Sequence, residues 1–253
     1  MEVNGAAAIV TGGGSGLGRA TAEMLALRGA RVTIFDLDGE TGRATAQAID
    51  ADFQQVNVSD EAAITQAIAA AAARQGVARV LVNCAGIAPA ARIVDKAGSP
   101  HVLESFRRVV EVNLIGTFNM VPKVAARIVA ARFEDEEAGV IINTASVAAF
   151  DGQVGQAAYA SSKAAVAGLT LPAARDLAQH RIRVMAIAPG IFLTPMMGTF
   201  PREMQDSLGA QVPHPSRLGR PSEFAELVRS IVENPMLNGE VIRLDGAIRM
   251  APR

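Results

Sequence analysis

Three polar side chains in the second half of the chain have the types and spacing of a proton-transfer site. Tyr159 and Lys163 stand four residues apart in an alanine-rich stretch that predicts a helix, so they share one helix face. Ser146 precedes Tyr159 by thirteen residues and follows a predicted strand. A cation about 4 Å from a phenol supplies the roughly 4 kcal/mol that lowers its pKa from about 10 to about 7. We predict that Tyr159 is the general acid and base, that Lys163 activates it, and that Ser146 holds the substrate oxygen.

These roles depend on the set of residues rather than on any one of them. Tyr159 is the only tyrosine in the sequence, whereas Ser146 and Lys163 taken singly also fit capping or surface roles. Asn113 lies in an apolar helical run, where it either holds a water that relays protons to Lys163 or faces solvent. No metal site is predicted, because the histidines lack metal-ligand spacing: His101, His180 and His214.

A glycine-rich turn near the start of the chain has the composition of a phosphate-binding loop. The run Thr11-Gly12-Gly13-Gly14-Ser15-Gly16-Leu17-Gly18 separates a predicted strand from a predicted helix. Glycines at such a junction let the backbone approach a pyrophosphate at the helix N-terminus. The strict G-x-G-x-x-G pattern is absent, since Arg19 stands where its last glycine would be, so an ordinary tight turn is the alternative. The predicted cofactor contacts here are Gly12, Ser15, Gly16, Leu17 and Gly18.

Asp36 ends the second predicted strand, eighteen residues beyond Gly18. This is close to the spacing at which a carboxylate accepts hydrogen bonds from an adenosine ribose, and its charge would repel a 2′-phosphate. No lysine or arginine replaces Ser15 or Leu37 to bind that phosphate, so we predict NAD rather than NADP as the cofactor. The alternative role for Asp36 is to cap the next helix.

A second turn of small residues follows the fourth predicted strand. Cys84, Ala85 and Gly86 come directly after Asn83 and would let the backbone lie against the adenosine half of the cofactor, unless they form only an ordinary strand-to-helix turn. The lone cysteine is expected to be a buried small residue rather than a nucleophile, because no histidine is near it in sequence.

The elements that would position these residues are short apolar strands that alternate with longer alanine-rich helices. Strands apolar at nearly every position are buried on both faces, which indicates a parallel sheet covered by helices. We predict an α/β fold, a single doubly wound Rossmann-type domain over residues 1–253 with its ligand crevice at the carboxyl ends of the strands. Residues 190–217, rich in proline and methionine, are expected to form a substrate lid. The seven predicted strands are Ala6–Val10, Arg31–Phe35, Phe53–Val56, Val80–Val82, Val140–Ile142, Val184–Ile187 and Val241–Leu244.

The composition argues against several classes of function. A net charge of -1 and the lack of long runs of like charge give no electrostatic footprint for nucleic acid or an anionic membrane. No apolar run is expected to reach the roughly 20 residues that cross a bilayer. A single cysteine cannot form an internal disulfide, and the sequence opens with no signal pattern, so a cytoplasmic protein is expected.

Taken together, the motifs resemble those of the short-chain dehydrogenase/reductase family along the whole chain. The family patterns TGxxxGxG, NxAG, S-x12-YxxxK and PGxxxT match Thr11–Gly18, Asn83–Gly86, Ser146–Lys163 and Pro189–Thr194. The resemblance implies an oxidoreductase with a catalytic tetrad of Asn113, Ser146, Tyr159 and Lys163. The further cofactor contacts that it implies include Asn57, Val58, Pro189, Gly190, Ile191 and Thr194.

Two details of the resemblance concern the ends of the cofactor. Ile191 and Thr194 would bind the nicotinamide carboxamide. Asn57 stands where the family usually has an aspartate near the adenine, and its amide can still accept a hydrogen bond there.

Within the family, three stretches resemble the type II 3-hydroxyacyl-CoA dehydrogenases, which also oxidise hydroxysteroids. They are INTASVAAFDGQVGQAAYASSK, AQVPHPSRLGRPSEFAELV and ENPMLNGEVIRLDGAIRM. The resemblance implies an acyl-CoA thioester as substrate, a substrate contact from Gln153 and a homotetramer. The methionine- and phenylalanine-rich segment from Phe192 to Met204 agrees, since flexible thioethers suit acyl chains of varying length, although packing would also explain it.

Alternatives remain at this stage. The enzyme could act on a steroid or another alcohol, or be an NADPH-linked 3-oxoacyl carrier-protein reductase, against which Asp36 argues. A scaffold subunit that keeps the fold without chemistry is the non-enzymatic alternative, against which the set of Ser146, Tyr159 and Lys163 argues. Arg92, Lys96 and His101 would lie either against coenzyme A phosphates or in a solvated loop.

Overall fold

A seven-stranded parallel sheet forms the centre of the computed structural model, which describes residues 1–198 and 200–252 except for the side chain of Met196. The strand order is β3-β2-β1-β4-β5-β6-β7, and every neighbouring pair is parallel. The order reverses between β1 and β4, which opens the ligand crevice at their carboxyl ends. The strands are β1 Ala7–Thr11, β2 Arg31–Asp36, β3 Asp52–Gln55, β4 Val80–Asn83, β5 Gly139–Thr144, β6 Ile182–Pro189 and β7 Val241–Leu244.

The central strands are apolar because both of their faces are covered. Every residue of β1, β4, β5 and β6 is buried. Successive side chains enter two different hydrophobic clusters, as Val10 and Ile9 do on β1. One cluster contains residues of α1 and α9 and the other contains residues of α3, α5 and α6, so helices lie on both faces of the sheet. The doubly wound fold is confirmed.

All seven predicted strands are present, but several run one or two residues further at their carboxyl ends. Thr11, Asp36, Asn83 and Thr144 pair with neighbouring strands although they are polar. Backbone pairing does not require an apolar side chain, so an apolar run marks the buried part of a strand and misses its polar end. These polar ends lie at the crevice.

Helices follow most of the strands. In the described part of the chain they are α1 Gly16–Leu27, α2 Gly39–Ala48, α3 Glu61–Gln75, α4 Leu103–Val110, α5 Gly116–Ala131, α6 Ala157–Ala178, α7 Pro195–Gly198, α8 Arg202–Ala210 and α9 Pro221–Glu233.

A π-helical turn, Glu111–Ile115, joins α4 to α5 in one helical run of 29 residues. Its most apolar 18-residue window has a mean hydropathy of 1.3 and is 44% buried, so this run meets the length and composition of a membrane span. The run is not one continuous apolar stretch, because it carries Glu104, Arg107 and Glu111, so the expectation that no apolar run reaches about 20 residues is not contradicted. The buried face of α5, including Met120, Val124 and Ile128, packs in the core.

The segment expected to be a lid leaves the sheet after β6 and contains α7 and α8. Its two ends are joined: the Gly219 N–H donates to the Ile191 carbonyl at 2.9 Å, and the Leu193 N–H donates to the Gly219 carbonyl at 2.8 Å. Thr199 and the side chain of Met196 lie outside the described residues. Residues 190–217 therefore form an excursion with a closed base, and its action as a lid stays a prediction.

Candidate active site

The glycine-rich turn packs so closely that larger residues cannot replace its glycines. A Cβ at Gly18 would lie 2.2 Å from the Gly12 carbonyl oxygen, and a Cβ at Gly12 would lie 2.8 Å from the Ala85 nitrogen. Gly12 also has a φ of 64°, which L side chains rarely adopt. The Ser15 side chain makes no capping hydrogen bond to α1, which leaves the first N–H groups of this helix to other acceptors. The turn therefore fits a pyrophosphate.

Asp36 lies beside this turn. Its Oδ2 accepts a hydrogen bond from the Gly14 N–H at 2.8 Å, and its Oδ1 accepts one from the Asp38 N–H at 3.0 Å. The cap of α2 is Asp38, which accepts from the N–H groups of Glu40 and Thr41, and these bonds lower the pKa of Asp38. The alternative that Asp36 caps this helix is therefore wrong. The Asp36 carboxylate is held at the edge of the glycine-rich turn, and its role as a ribose acceptor stays a prediction.

The turn after β4 is fixed against the glycine-rich turn by one hydroxyl. Thr11 Oγ1 accepts hydrogen bonds from the Cys84 N–H at 3.1 Å and the Ala85 N–H at 3.2 Å. Burial raises the pKa of the Cys84 thiol to about 11, and Thr144 Oγ1 lies 3.6 Å from its sulfur. The thiol is therefore protonated at neutral pH, which agrees with a packing residue rather than a nucleophile.

Asn57 and Val58 follow β3 at the same edge of the sheet. The side-chain oxygen of Asn57 accepts a hydrogen bond from the Ser59 N–H at 3.0 Å, so part of its capacity as an acceptor serves its own turn. Val58 is buried, and its carbonyl accepts from Asn119 Nδ2 at 2.7 Å. The pair therefore borders the crevice with one exposed amide and one buried side chain.

Lys163 is enclosed within the protein. Only 4% of it is exposed, and its Nζ donates to the Thr144 carbonyl at 2.6 Å. Burial lowers the pKa of Lys163 to about 8. A surface role for this lysine is therefore wrong. A Cβ at Gly86 would lie 3.5 Å from Nζ, so the lysine borders the turn that follows β4.

Tyr159 lies one helical turn before Lys163 on α6, as the spacing predicted. Burial raises the pKa of Tyr159, and a hydrogen bond with Ser146 acts in the opposite direction. Lys163 Nζ lies 5.9 Å from the centre of the phenol ring and is engaged by the Thr144 carbonyl. The causes that act on the Tyr159 pKa in the protein alone are burial and the bond with Ser146, so activation of Tyr159 by Lys163 stays a prediction for the protein with a bound cofactor.

Ser146 begins the short 3₁₀ helix Val147–Ala149, which follows β5. Its Oγ accepts a hydrogen bond from the Ala148 N–H at 3.1 Å, and the residue is buried. The capping role is thus present, together with the hydrogen bond to Tyr159. The cap fixes the hydroxyl in place beside the phenol.

Asn113 is fully buried in the π-helical turn, so the solvent-facing alternative is wrong. Its Oδ1 accepts from the Ile87 N–H at 2.8 Å, while its Nδ2 donates to the Ile87 carbonyl at 2.9 Å and to Ser162 Oγ at 3.0 Å. Both amide hydrogens are thereby used. The side chain ties the loop after β4 to α6, so any water for a proton relay would have to bind elsewhere on the residue.

Ser162 is a member of this site that the sequence interpretation missed. It is 1% exposed, and its hydroxyl donates to the Tyr159 carbonyl at 2.7 Å while accepting from Asn113. The sequence does not distinguish a serine that faces the protein interior from one that faces solvent on the same helix, so nothing marked Ser162 as part of the site. Thr144 was missed for a similar reason, because its carbonyl rather than its side chain holds Lys163.

The loop after β6 completes the crevice. The Gly190 N–H donates to the Leu244 carbonyl at 2.9 Å, and the Thr194 N–H donates to the Phe192 carbonyl at 2.8 Å. A Cβ at Gly16 would lie 3.5 Å from Thr194 Cγ2, so this loop borders the start of α1. The loop assigned to the nicotinamide end of the cofactor thus lies against the glycine-rich turn.

Gln153 lies in the loop between the 3₁₀ helix and α6. Its Nε2 donates to the Ala251 carbonyl at 2.8 Å, and its backbone N–H donates to Gln156 Oε1 at 3.1 Å. The side chain is therefore oriented by the C-terminal residues. Among the described residues, no group of three or more His, Cys, Asp or Glu is arranged to hold a metal ion.

Comparison with known proteins places this geometry among related chains. The family model described as short chain dehydrogenase matches residues 6–205. The chain is similar to human 3-hydroxyacyl-CoA dehydrogenase type-2, with 52% identity that covers 99% of this chain and 98% of the relative. The Drosophila melanogaster protein of the same name is 48% identical over 99% of this chain and 100% of its own length. The crystal structure of 3-hydroxyacyl-CoA dehydrogenase type-2 from Mycobacterium avium superposes with a TM-score of 0.94 at 44% identity, over 98% of each chain.

Proposed function

Since the chain belongs to the short-chain dehydrogenase family, we propose that it is an NAD-dependent dehydrogenase that interconverts (S)-3-hydroxyacyl-CoA and 3-oxoacyl-CoA. The observation that carries the proposal is the pair of buried residues Ser146 and Lys163 with Tyr159, which is hydrogen-bonded to Ser146, at the carboxyl ends of the strands. The relatives named 3-hydroxyacyl-CoA dehydrogenase type-2 support the thioester substrate.

Each side chain has one part in the proposed reaction. Ser146 positions the substrate oxygen, and Tyr159 takes the hydroxyl proton during oxidation or returns it during reduction. Lys163 places a cation near the phenol, which favours the phenolate that accepts the proton during oxidation and that remains after the proton is donated during reduction. NAD, when bound, supplies the acceptor for the hydride of the carbinol carbon.

The raised pKa of Tyr159 gives the two directions opposite dependence on pH. Burial keeps its phenol protonated at neutral pH, and a protonated phenol is the form that donates to a carbonyl. Reduction of a 3-oxoacyl thioester is therefore expected to slow as the pH rises, while oxidation of the 3-hydroxyacyl thioester accelerates.

The preference for NAD rests on the carboxylate of Asp36 next to the glycine-rich turn. Its two oxygens accept backbone hydrogens from Gly14 and Asp38, which holds the negative charge at the edge of the crevice. A 2′-phosphate would meet that charge directly. The proposed cofactor contacts are Gly12, Ser15, Gly16, Leu17, Gly18, Asp36, Asn57, Val58, Cys84, Ala85, Gly86, Tyr159, Lys163, Pro189, Gly190, Ile191 and Thr194.

The substrate would enter beside Gln153 and the excursion over residues 190–217. Leu193, Phe200 and Met204 are exposed there and offer apolar surface to an acyl chain. We also propose that the protein is a homotetramer and cytoplasmic, which the family resemblance and the single cysteine respectively support.

The deciding experiment follows absorbance at 340 nm while NADH, and separately NADPH, is offered with acetoacetyl-CoA. A matched reaction contains a ketone of similar size without coenzyme A. Rapid oxidation of NADH with the thioester and slow oxidation with the plain ketone is the expected result.

Other outcomes favour the alternatives. Turnover with a hydroxysteroid and none with the thioester would make the protein a dehydrogenase of another alcohol, and a preference for NADPH would favour a carrier-protein reductase. Binding of NADH without turnover of any of these compounds would favour a scaffold role.

A further inference from the structure

The residues after β7 contact three separate parts of the crevice. We call residues 245–252 the C-terminal segment and residues 150–156 the substrate loop, because the latter carries Gln153. Arg243, in β7, precedes the C-terminal segment and lies between it and the substrate loop.

Arg243 binds the substrate loop through Asp151. Its Nη2 lies 2.6 Å from Asp151 Oδ2 and its Nη1 lies 3.3 Å from Asp151 Oδ1, a two-point contact between partners whose side chains are only 22% and 16% exposed. The guanidinium also lies 5.5 Å from the centre of the Phe150 ring. The hydrogen bond from Arg243 lowers the pKa of Asp151, which agrees with a carboxylate that stays charged.

The same guanidinium holds the C-terminal segment. Arg243 Nε donates to Asp245 Oδ2 at 2.7 Å, and Nη2 donates to the Ile248 carbonyl at 3.0 Å. The arginine therefore joins two loops that are far apart in the sequence.

The C-terminal segment in turn binds the substrate loop at two further points. The Ala251 carbonyl accepts from Gln153 Nε2 at 2.8 Å, and the Pro252 carbonyl accepts from the Val154 N–H at 3.0 Å. The first of these bonds, at 2.8 Å, is the shorter of the two that orient the Gln153 amide; Gln156 Nε2 donates to its Oε1 at 3.4 Å. The orientation of a polar group that faces substrate is thus set by backbone almost a hundred residues away.

The turn that follows β7 also contacts Gly190, in the loop after β6, and Val212 and His214, in the excursion. A Cβ at Gly190 would lie 2.9 Å from the Cα of Asp245, so these two loops are in direct contact. A Cβ at Gly246 would lie 2.4 Å from Val212 Cγ1, and the His214 N–H donates to the Gly246 carbonyl at 3.2 Å. A shift of this turn would therefore also move the loop after β6 and the excursion, which border the substrate side of the crevice.

We propose that Arg243 is a positioning residue for the substrate loop and that the C-terminal segment, by orienting Gln153, determines which substrates the enzyme accepts. The inference rests on the proposed function, because it takes Gln153 as a substrate contact. Among the described residues, the hydrogen bonds of Arg243 go to Asp151, Asp245 and Ile248 and not to Tyr159 or Lys163, so affinity for the substrate should change more than the rate of the chemical step.

The first test compares Arg243→Met with Arg249→Met. Arg249 also lies 3.2 Å from Asp245, but its side chain is 63% exposed and it does not contact Asp151, which makes it a matched control. Arg243→Met is expected to raise KM for acetoacetyl-CoA about tenfold with little change in kcat, the size of one lost charged hydrogen bond. NADH affinity, measured by fluorescence, should stay at the wild-type value, and Arg243→Lys should recover part of the loss.

A second test asks whether the C-terminal segment acts through Gln153. The Gln153→Ala variant, a chain that ends at Arg249 and the combination of the two are compared. Both single changes should raise KM for the thioester. The combined rise should be smaller than the two single effects predict together, because either change removes the bond between Gln153 and Ala251.

Three results would overturn the inference. They are an unchanged KM in Arg243→Met, equal losses in Arg243→Met and Arg249→Met, and additive effects of truncation and Gln153→Ala. If Arg243→Met does not fold, Asp151→Asn, which keeps the shape of the side chain, replaces it with the same expected rise in KM. Lack of thioester turnover by the wild-type protein would instead reject the proposed function, and the same variants would then be compared on the alcohol that is turned over.

Discussion

Lys163 and Tyr159 share one enclosure, and loss of contact with water moves their pKa values in opposite directions. The ammonium loses solvation and releases its proton more easily, with a pKa of about 8, whereas the phenol keeps its proton more firmly. Both shifts favour uncharged side chains in the protein alone. A charged partner that entered the crevice would therefore change both protonation states together.

The lowered pKa of Lys163 has a consequence for stability. Burial lowers its pKa from 10.5 in the unfolded chain to about 8 in the folded protein, so above pH 8 the unfolded state binds more protons and stability rises with pH. Chemical denaturation of the wild type is expected to show a contribution of about 1 kcal/mol between pH 7 and pH 9 that Lys163→Met lacks. Parallel curves for the two proteins would contradict the buried ammonium.

The window stops at pH 9 because Cys84 acts in the other direction above it. Burial raises the pKa of its thiol from 9.0 to about 11, so the unfolded chain loses a proton that the folded protein keeps, and stability falls as the pH rises through that range. The Cys84→Ala variant should lack this fall in stability at pH 10, so it serves as the control that separates the effect of Cys84 from that of Lys163.

Tyr159→Phe removes only the hydroxyl that exchanges the proton. We expect kcat to fall by about a hundredfold or more, because a positioned acid or base contributes that much to proton transfer. Titration of NADH fluorescence should show that the variant still binds the cofactor. Turnover near that of the wild type would reject the acid and base role.

Asp36→Ala tests the discrimination between cofactors. Loss of the carboxylate removes both the ribose acceptor and the repulsion of a 2′-phosphate, so the ratio of kcat/KM for NAD over NADP should fall about tenfold. Asp38→Ala is the matched control, because that residue caps α2 two positions further on. The control should lose stability, because the cap of α2 is removed, and keep the cofactor preference.

At the scale of secondary structure, close backbone contact between turns shapes the cofactor crevice. Gly18 in α1 meets the Gly12 carbonyl, while Gly168 in α6 has no heavy atom of another element within 4 Å of the position of a Cβ. Gly18→Ala is expected to lower the free energy of unfolding by about 1–3 kcal/mol and to weaken NADH binding. Gly168→Ala should raise stability by up to about 1 kcal/mol, because alanine is the better helix former.

Thermal or chemical unfolding measures the stability of both glycine variants, and the stabilisation added by NADH reports how well each variant binds it. Equal stability of the two variants would mean that the turn can relax around a methyl group.

The sequence predicted some of these elements better than others, for physical reasons. The apolar core of each strand and the spacing of Tyr159 and Lys163 are local patterns, and both are present in the structure. The π-helical turn that buries Asn113 has no local signature, because the same residues suit an ordinary helix. The raised pKa of Tyr159 depends on enclosure by other elements, which spacing along one helix does not report.

Contacts between distant residues were the least predictable. Arg243 and Asp151 are 92 residues apart, and each lies in a stretch whose composition is that of a solvated loop or strand end. Ser162 became recognisable only when α6 was packed against the π-helical turn.

For the molecule as a whole, exposed apolar residues indicate where copies of the chain would meet. Leu103, Ile115 and Phe118 lie along the run from α4 to α5 and are 59%, 43% and 50% exposed. If the protein is a homotetramer, Phe118→Arg is expected to lower its mass, measured by light scattering during gel filtration. Leu27→Arg, at the end of α1 and 86% exposed, should leave the mass unchanged.

The closed base of the excursion after β6 has a consequence for how new specificities arise. Pairing between Phe192 and Gly219 brings the two ends of the segment together, so changes in its length cost little closure entropy and leave the register of β6 and β7 intact. The segment can therefore be replaced as a unit without changing the sheet. A relative's sequence grafted between Thr194 and Gly219 should transfer substrate preference while the proposed cofactor contacts stay as they are.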